Sequence, residues 1–321
     1  MTARRKLLVG LCAAAVLQTA AAAYPDRPIR FLVSSGAGGG PDISARIFAA
    51  ELTKQLGQQV VVDNRPGAGS MIGTTLMAKA APDGYTMGYG TIAPIAIQRS
   101  LQPSMPYDPD KELQAVIQIT STPNLLAASK SLSVSSVTAL IGYARNSPGT
   151  LLYASTGTGT SQHLTGELFK LMTGVQMTHV PFKAATMALT DVIGGRVQLM
   201  FENISSVGQH VKSGKVQGFA VTSSKRVAAF PDLPTMDEAG VPGFESISWG
   251  GIVVPAGTPS VIVARLNREV NAAIALPHVK EKYTGFGNDL VGGTPAQFTA
   301  QIKKDTLKWA DVIKRAGVTA D

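Results

Sequence analysis

The chain has 321 residues, of which 45% are hydrophobic and 16% charged, and a formal net charge of +8. That balance excludes a disordered chain, and the length admits two domains with cores of their own. No long charge run or low-complexity block is present, and so modest a positive excess points to anions in general rather than to nucleic acid.

In chain order, residues 1–23 come first. Arg4, Arg5 and Lys6 form a positive start, residues 7–16 are apolar, and Ala21, Ala22 and Ala23 precede Tyr24. This pattern predicts an export signal cleaved after about Ala23. The apolar stretch is shorter than the ~20 residues a membrane span needs. No later segment reaches that length, so a soluble mature chain in the periplasm is expected. Cleavage removes three positive charges and no acids, leaving +5. The single cysteine, Cys12, falls inside the signal. An exported mature chain then has neither thiol nor disulfide.

The next elements repeat one grammar: apolar strand, Gly-rich turn, amphipathic helix. A strand at 29–33 leads into the turn 34–40 and a helix from about 42 to 56. Ile43, Ile47, Phe48, Leu52 and Leu56 recur there at helical spacing, and Gly57 stops the helix. Strands follow at 60–62 and 86–89, the latter ending near Thr91. A second unit has a strand at 151–154, a loop at 155–160 and a helix at 161–172, with Gly174 at its C-cap. Further pairs lie at 190–193 with 197–201, and at 208–211 with 216–221. Helical segments are predicted at 260–275 and 296–316. The alternation predicts an α/β fold with a largely parallel sheet.

Two loops carry the chemistry. In the first, Ser35, Gly38 and Gly39 precede Pro41 and Asp42. Glycines let a ligand approach the backbone, and a helix start offers N–H groups without partners inside the helix. The helix dipole adds about 0.3–1 kcal/mol for an exposed anion. Pro41 suits the helix start, and Asp42 could cap it. In the second loop, Gly157 and Gly159 stand among the hydroxyls of Ser155, Thr156, Thr158, Thr160 and Ser161. Two such ends facing each other would hold one carboxylate; the alternative is that both are tight strand-to-helix turns. His163 in the first turns of its helix, Phe182, Asn203 and Thr91 are further binding candidates. Trp249 and Trp309 read as packing residues.

Enzyme signatures are weak. Pro41 stands where a dinucleotide fingerprint needs its third glycine. Walker A and G-x-S-x-G patterns are absent, and no nucleophile–base pair is evident. His163 and Glu167 are four residues apart without an HExxH pattern, so neither a metal nor a cofactor is expected.

Many short stretches, in order, resemble one family: the substrate-binding proteins of tripartite tricarboxylate transporters, or Bug receptors. They include Tyr24-Pro25-Asp26-Arg27-Pro28, Asp63-Asn64-Arg65-Pro66-Gly67, Ala81-Pro82-Asp83-Gly84-Tyr85, Pro106-Tyr107-Asp108-Pro109, His179-Val180-Pro181-Phe182-Lys183 and Pro231-Asp232-Leu233-Pro234. The resemblance covers essentially all of 24–321. It implies a type II-like periplasmic binding protein fold, with two α/β lobes joined by crossover strands and closing on a ligand. Lobe 1 is expected at 24–121 with 250–321, and lobe 2 at 122–249. It implies a small organic carboxylate held by loops of both lobes and delivered to a large and a small integral membrane subunit. A monomer is the default. The main alternative use is signalling to a membrane sensor; an exported hydrolase using Ser155 or Ser161 ranks below it. Three departures from the family pattern bear on the pocket. Ser35-Gly36-Ala37 replaces a Phe followed by prolines, Glu202 replaces an Asp, and Phe182-Lys183-Ala184-Ala185 replaces Tyr-Lys-Gly-Gly.

Overall fold

The computed structural model describes residues 24–102, 104–285 and 287–320. The export signal read at residues 1–23, Cys12 included, lies outside them. From the N-terminal side, β1 (Ile29–Val33), α1 (Gly40–Leu56), β2 (Val60–Asn64), α2 (Met71–Ala78) and β3 (Thr86–Thr91) build the first parallel unit. β1 lies between β2 and β3 and runs parallel to both. A long β4 (Leu113–Ala128) then crosses to the second half of the molecule. There α3 (Val137–Asn146), β5 (Leu151–Ser155), α4 (Ser161–Thr173), β6 (Met177–Pro181), α5 (Ala185–Ile193), β7 (Leu199–Asn203), α6 (Ile204–Lys212) and β8 (Gln217–Val221) form the second unit. β5 is parallel to β6 and β7. The chain returns through β9 (Ile247–Pro255) and ends with α7 (Ser260–Ala275), α8 (Pro277–Gly285), β10 (Asp289–Gly292) and α9 (Pro295–Ala316).

β4 and β9 join the halves. The first part of β4 pairs with β9 and β10, and its last residues pair with β7 and β8, all antiparallel. The strand order β2-β1-β3-β9-β4-β7-β5-β6 is thus one curled sheet carrying two parallel units, hence two lobes. Pro123 sits in β4 opposite Ile247, near the changeover between partners.

Each half buries its own apolar face. Phe31 on β1 packs with Phe48 and Leu52 on α1 and Leu266 on α7, all fully buried. A fully buried aromatic or aliphatic side chain contributes about 1.5–3 kcal/mol, so this layer is what holds α1 and its leading loop in place. Leu189, Val192, Met200 and Val207 anchor α5, β7 and α6 in the same way. A third cluster bridges the halves: Phe169 on α4 and Trp249, Phe298 and Trp309 belong to it. Trp249 stacks edge-on to Phe298 at 5.2 Å and donates its indole N–H to Asp305 at 2.7 Å, so both tryptophans are packing residues as read.

The crossover is tight. A Cβ built on Gly250 of β9 would lie 2.2 Å from the Tyr89 hydroxyl and 2.4 Å from its ring. Tyr89 is itself buried and shares a 3.2 Å contact with Thr120 on β4, so it has nowhere to move. Gly250→Ala is therefore expected to destabilise the fold by about 1–3 kcal/mol. Urea unfolding of the two proteins measures this; equal midpoints would show that the crossover yields.

Candidate functional site

A cavity of about 680 Å³ opens between the two lobes. Its first wall is the loop after β1: Ser35, Gly36, Ala37, Gly38, Gly39 and Gly40, with Ile43 and Ser44 from α1, Pro66, Tyr283 and Asn288. Its second wall is Lys183, Ala184, Ala185, Thr186 and Leu189 at the start of α5, then Met200, Glu202, Ser205, Ser206, Val207 and His210 from β7 and α6. The loops after β1, β6 and β7 all leave the carboxyl ends of parallel strands. That is where open α/β sheets bind ligands.

Three helices start on this cavity: α1 from Gly39, α5 from Ala184 and α6 from Asn203. None has a side chain hydrogen-bonded across its first turn. Glycine and alanine have no group to cap with, and Asn203 leaves its amide unused. Uncapped starts also occur at α2 and α7, but those do not meet a common space. Convergence makes the difference here, because several orphan N–H groups and positive dipole ends face one volume. The exposed Lys183 adds a full positive charge at the rim.

The first loop is held from behind. Asp42 is buried, and its carboxylate accepts from Gly38 N at 2.8 Å, Arg46 Nε at 3.0 Å and Asn64 Nδ2 at 2.9 Å. Burial alone would raise its pKa, but these hydrogen bonds and the Arg46 charge hold it below the usual carboxylate range. The helix begins at Gly40, two residues earlier than the sequence suggests, so Asp42 reaches back to Gly38 rather than standing at the cap. Asn64 also donates to the Ser35 carbonyl at 3.0 Å, fixing the loop's other side. Ile43, read as part of the core face, is 40% exposed and lines the cavity.

Of the residues singled out from sequence, Ser35, Gly38 and Gly39 line this cavity; Asp42 supports it; Asn203 stands at the cap position of α6 beside it, with its side-chain oxygen unpaired. The second Gly-rich loop does not line it, and its chemistry explains why. Ser155 Oγ accepts from Gly157 N at 3.0 Å and meets His179 Nε2 at 2.6 Å. Gly159 N donates to His163 Nδ1 at 3.1 Å, and Thr160 Oγ1 caps α4 by accepting from His163 N at 3.3 Å. These donors are used within the loop itself. A Cβ on Gly159 would lie 2.5 Å from Leu101 and 2.9 Å from Gln98, so the loop packs against the other lobe with φ +75° at Gly159. Thr158 lines a separate recess with Gly69, Gln98 and Leu101. Ser161 donates to Gln162 at 3.2 Å. Phe182 is half-buried against the second lobe's apolar cluster, and Thr91 pairs with Gly250 in the crossover. Ser155 and His179 do form a hydroxyl–imidazole pair, which the sequence did not reveal. Ser155 is fully buried, however, and pins its own loop.

Glu202 is the residue on the second wall with the most unusual chemistry. It is 2% exposed, Oε1 accepts from Gln162 Nε2 at 3.1 Å and from Asn203 N at 2.8 Å, and Oε2 has no partner. Ser35 Oγ and Asn288 Oδ1 are likewise buried and unpartnered on the cavity wall. Each such group costs about 1–3 kcal/mol while unpaired, which a polar guest offsets. Burial pushes the Glu202 pKa from 4.5 up to about 7, against the two N–H donors that lower it.

The sequence matches the family model described as "Tripartite tricarboxylate transporter family receptor" over residues 44–318. It is 38% identical over 295 residues to Protein BugT of Bordetella pertussis, covering 92% of this chain and 90% of BugT. Among solved structures it resembles R. palustris Rpa4515 with adipate, with TM-score 0.87, 38% identity and coverage of 92% of this chain and 99% of that one. It also resembles MatC from Rhodopseudomonas palustris with bound malate, with TM-score 0.82, 31% identity and coverage of 90% and 100%. No helix among the described residues is long and apolar enough to cross a membrane.

The raised Glu202 pKa has a stability consequence. Below pH 4.5 both folded and unfolded chains hold the proton; above it the unfolded chain releases its proton first. Stability therefore falls from about pH 4.5 until the folded group ionises near 7. Glu202→Gln removes this loss, so the variant should gain about 3 kcal/mol relative to wild type between the acid and alkaline ends of that window. Chemical denaturation across pH measures it; parallel curves for the two proteins would show that Glu202 ionises normally.

Proposed function

The chain belongs to the receptor family of tripartite tricarboxylate transporters, and on that premise we propose that it captures a small organic carboxylate in the cavity between its lobes and delivers it to integral membrane subunits. The family is one of substrate-binding receptors rather than enzymes. The observation that carries the ligand class is the convergence of the α1, α5 and α6 starts, with Lys183, on one volume. Backbone N–H groups at helix starts recognise anions without a buried countercharge. The adipate and malate held by related proteins are of this chemical class.

The lobes of this reading are residues 24–121 with 250–321, and residues 122–249. The change of β4's partners, from β9 and β10 to β7 and β8, supports that division. Lobe closure about β4 and β9 would bring the α1 start towards those of α5 and α6. The signal at residues 1–23 would direct the chain to the periplasm. The working form is a monomer delivering to a large and a small membrane subunit.

Adipate and malate are the first ligands to test, and binding should raise the melting temperature of the mature protein. Ala184→Asp is the informative variant. An aspartate at that position caps α5 and repels an anion, so it should stabilise the unliganded protein by about 1 kcal/mol while weakening binding roughly tenfold or more. Thermal shift and calorimetry give both values. Unchanged affinity in this variant would remove α5 from the site, and no response of wild type to a broad panel of organic acids would overturn the carboxylate reading.

A further inference from the structure

Three candidates stand out beyond the anion-binding wall: the Ser155–His179 pair, the recess at Thr158, and the free oxygen of Glu202. In the first, Ser155 is fully buried and its hydroxyl is engaged with Gly157 and His179, and the second is a smaller recess of about 210 Å³ with no buried unpartnered side-chain group among its lining residues. The third belongs to a residue that lines the cavity.

Resting on the carboxylate reading above, we propose that Glu202 binds as a carboxylic acid, donating a hydrogen bond from Oε2 to a second carboxylate of a dicarboxylate ligand, so that capture takes up a proton. The geometry assigns the proton to one oxygen. Oε1 already accepts two N–H bonds, from Gln162 and Asn203, and is committed as an acceptor. Oε2 is buried and unpartnered, and Glu202 is one of the residues that line the cavity. An ionised Glu202 there would repel a carboxylate; a protonated one offers the donor that a carboxylate needs. A guest with a negative charge at this end raises the proton affinity further, because two carboxylates sharing a site hold one proton between them.

The surrounding charges do not supply an alternative partner. The other titratable groups lining the cavity are Lys183 ahead of α5 and His210 on α6, on the same wall, and Tyr283 on α8, on the facing wall. On α4, behind Gln162, Glu167 accepts from the Tyr153 hydroxyl at 2.6 Å and lies 3.9 Å from His163 Nε2 and 2.9 Å from Lys170 Nζ. Those groups are engaged with one another. β4, which pairs with β7 alongside Glu202, presents Asn124 and Leu125, neither of which titrates. Burial without a cation is also what lifts the Glu202 pKa to about 7, so near-neutral apo protein already holds much of the proton.

The mechanism selects for ligands with an acceptor at both ends. A monocarboxylate of similar length leaves Oε2 unpaired, and an acid with an ammonium group at this end would draw Glu202 into its ionised form and bind without proton uptake. Dicarboxylates are thus preferred through hydrogen bonding rather than through net charge.

Isothermal titration of mature protein with adipate and with malate, in buffers of different ionisation enthalpy, reads the proton directly. Uptake approaching one proton per ligand is expected at about pH 8, with affinity falling roughly twentyfold from about pH 6 to about pH 8.5. In Glu202→Gln the uptake and the pH dependence should vanish. Glu202→Ala should weaken binding roughly tenfold at about pH 6, where Glu202→Gln recovers most of the loss by donating from its amide. Melting curves of both variants verify that they are folded. Binding without proton uptake, or pH dependence that persists in Glu202→Gln, overturns this proposal and leaves the carboxylate reading standing. Failure of adipate, malate and a broad panel of other organic acids to bind wild type and variants at either pH overturns the two together.

Discussion

A helix cannot satisfy the N–H groups of its own first turn, and the site follows from where this chain leaves that need unmet. At α4 and α9 threonine hydroxyls supply the acceptor, and α9 adds the reciprocal bond from Gln297. At α1, α5 and α6 no side chain does so. Those three starts meet at one cavity because each follows the carboxyl end of a parallel strand, and the two parallel units are set face to face by β4 and β9. On the proposed reading, anion affinity is therefore a property of backbone placed by the sheet, with side chains adjusting which anion is taken.

The supporting interactions are consistent with this division of labour. The first loop is fixed by Asp42, Arg46 and Asn64 from outside the cavity, so its exposed face remains free for a guest. The second wall has more chemical character: Lys183, the Ser205 and Ser206 hydroxyls, and Glu202. One wall is largely glycine and backbone while the other carries most of the polar and charged side chains, which suits the proposed receptor, whose relatives hold different acids.

Much of the fold was readable from periodicity and turn chemistry. The helix at 260–275 has the bounds that spacing and the preceding Pro-Ala-Gly-Thr-Pro turn suggest. The start of α1 was misplaced because Asp42 looked like a cap, whereas Gly39 takes the cap position and Asp42 folds back onto Gly38. β4 was not legible, since its 16 residues change partners midway and obey no single alternation. Glycine content did not distinguish the loop that lines the cavity from the one that does not. It marked both loops equally, but the loop at 155–160 consumes its donors through Ser155, Thr160, His163 and His179. The better signal was the lack of a capping side chain at Ala184-Ala185, together with an acid, Glu202, in an otherwise apolar strand end. In the sequence both stand out only as departures from a family pattern.

Amide chemical shifts of isotope-labelled protein titrated with adipate and malate test the central claim most directly. The account predicts the largest changes at the backbone N–H groups of Gly39, Gly40, Ala185, Thr186, Ser205 and Ser206, with little change at Gly157 and Gly159. Changes concentrated at 155–161, with the α5 and α6 starts unaffected, would contradict it.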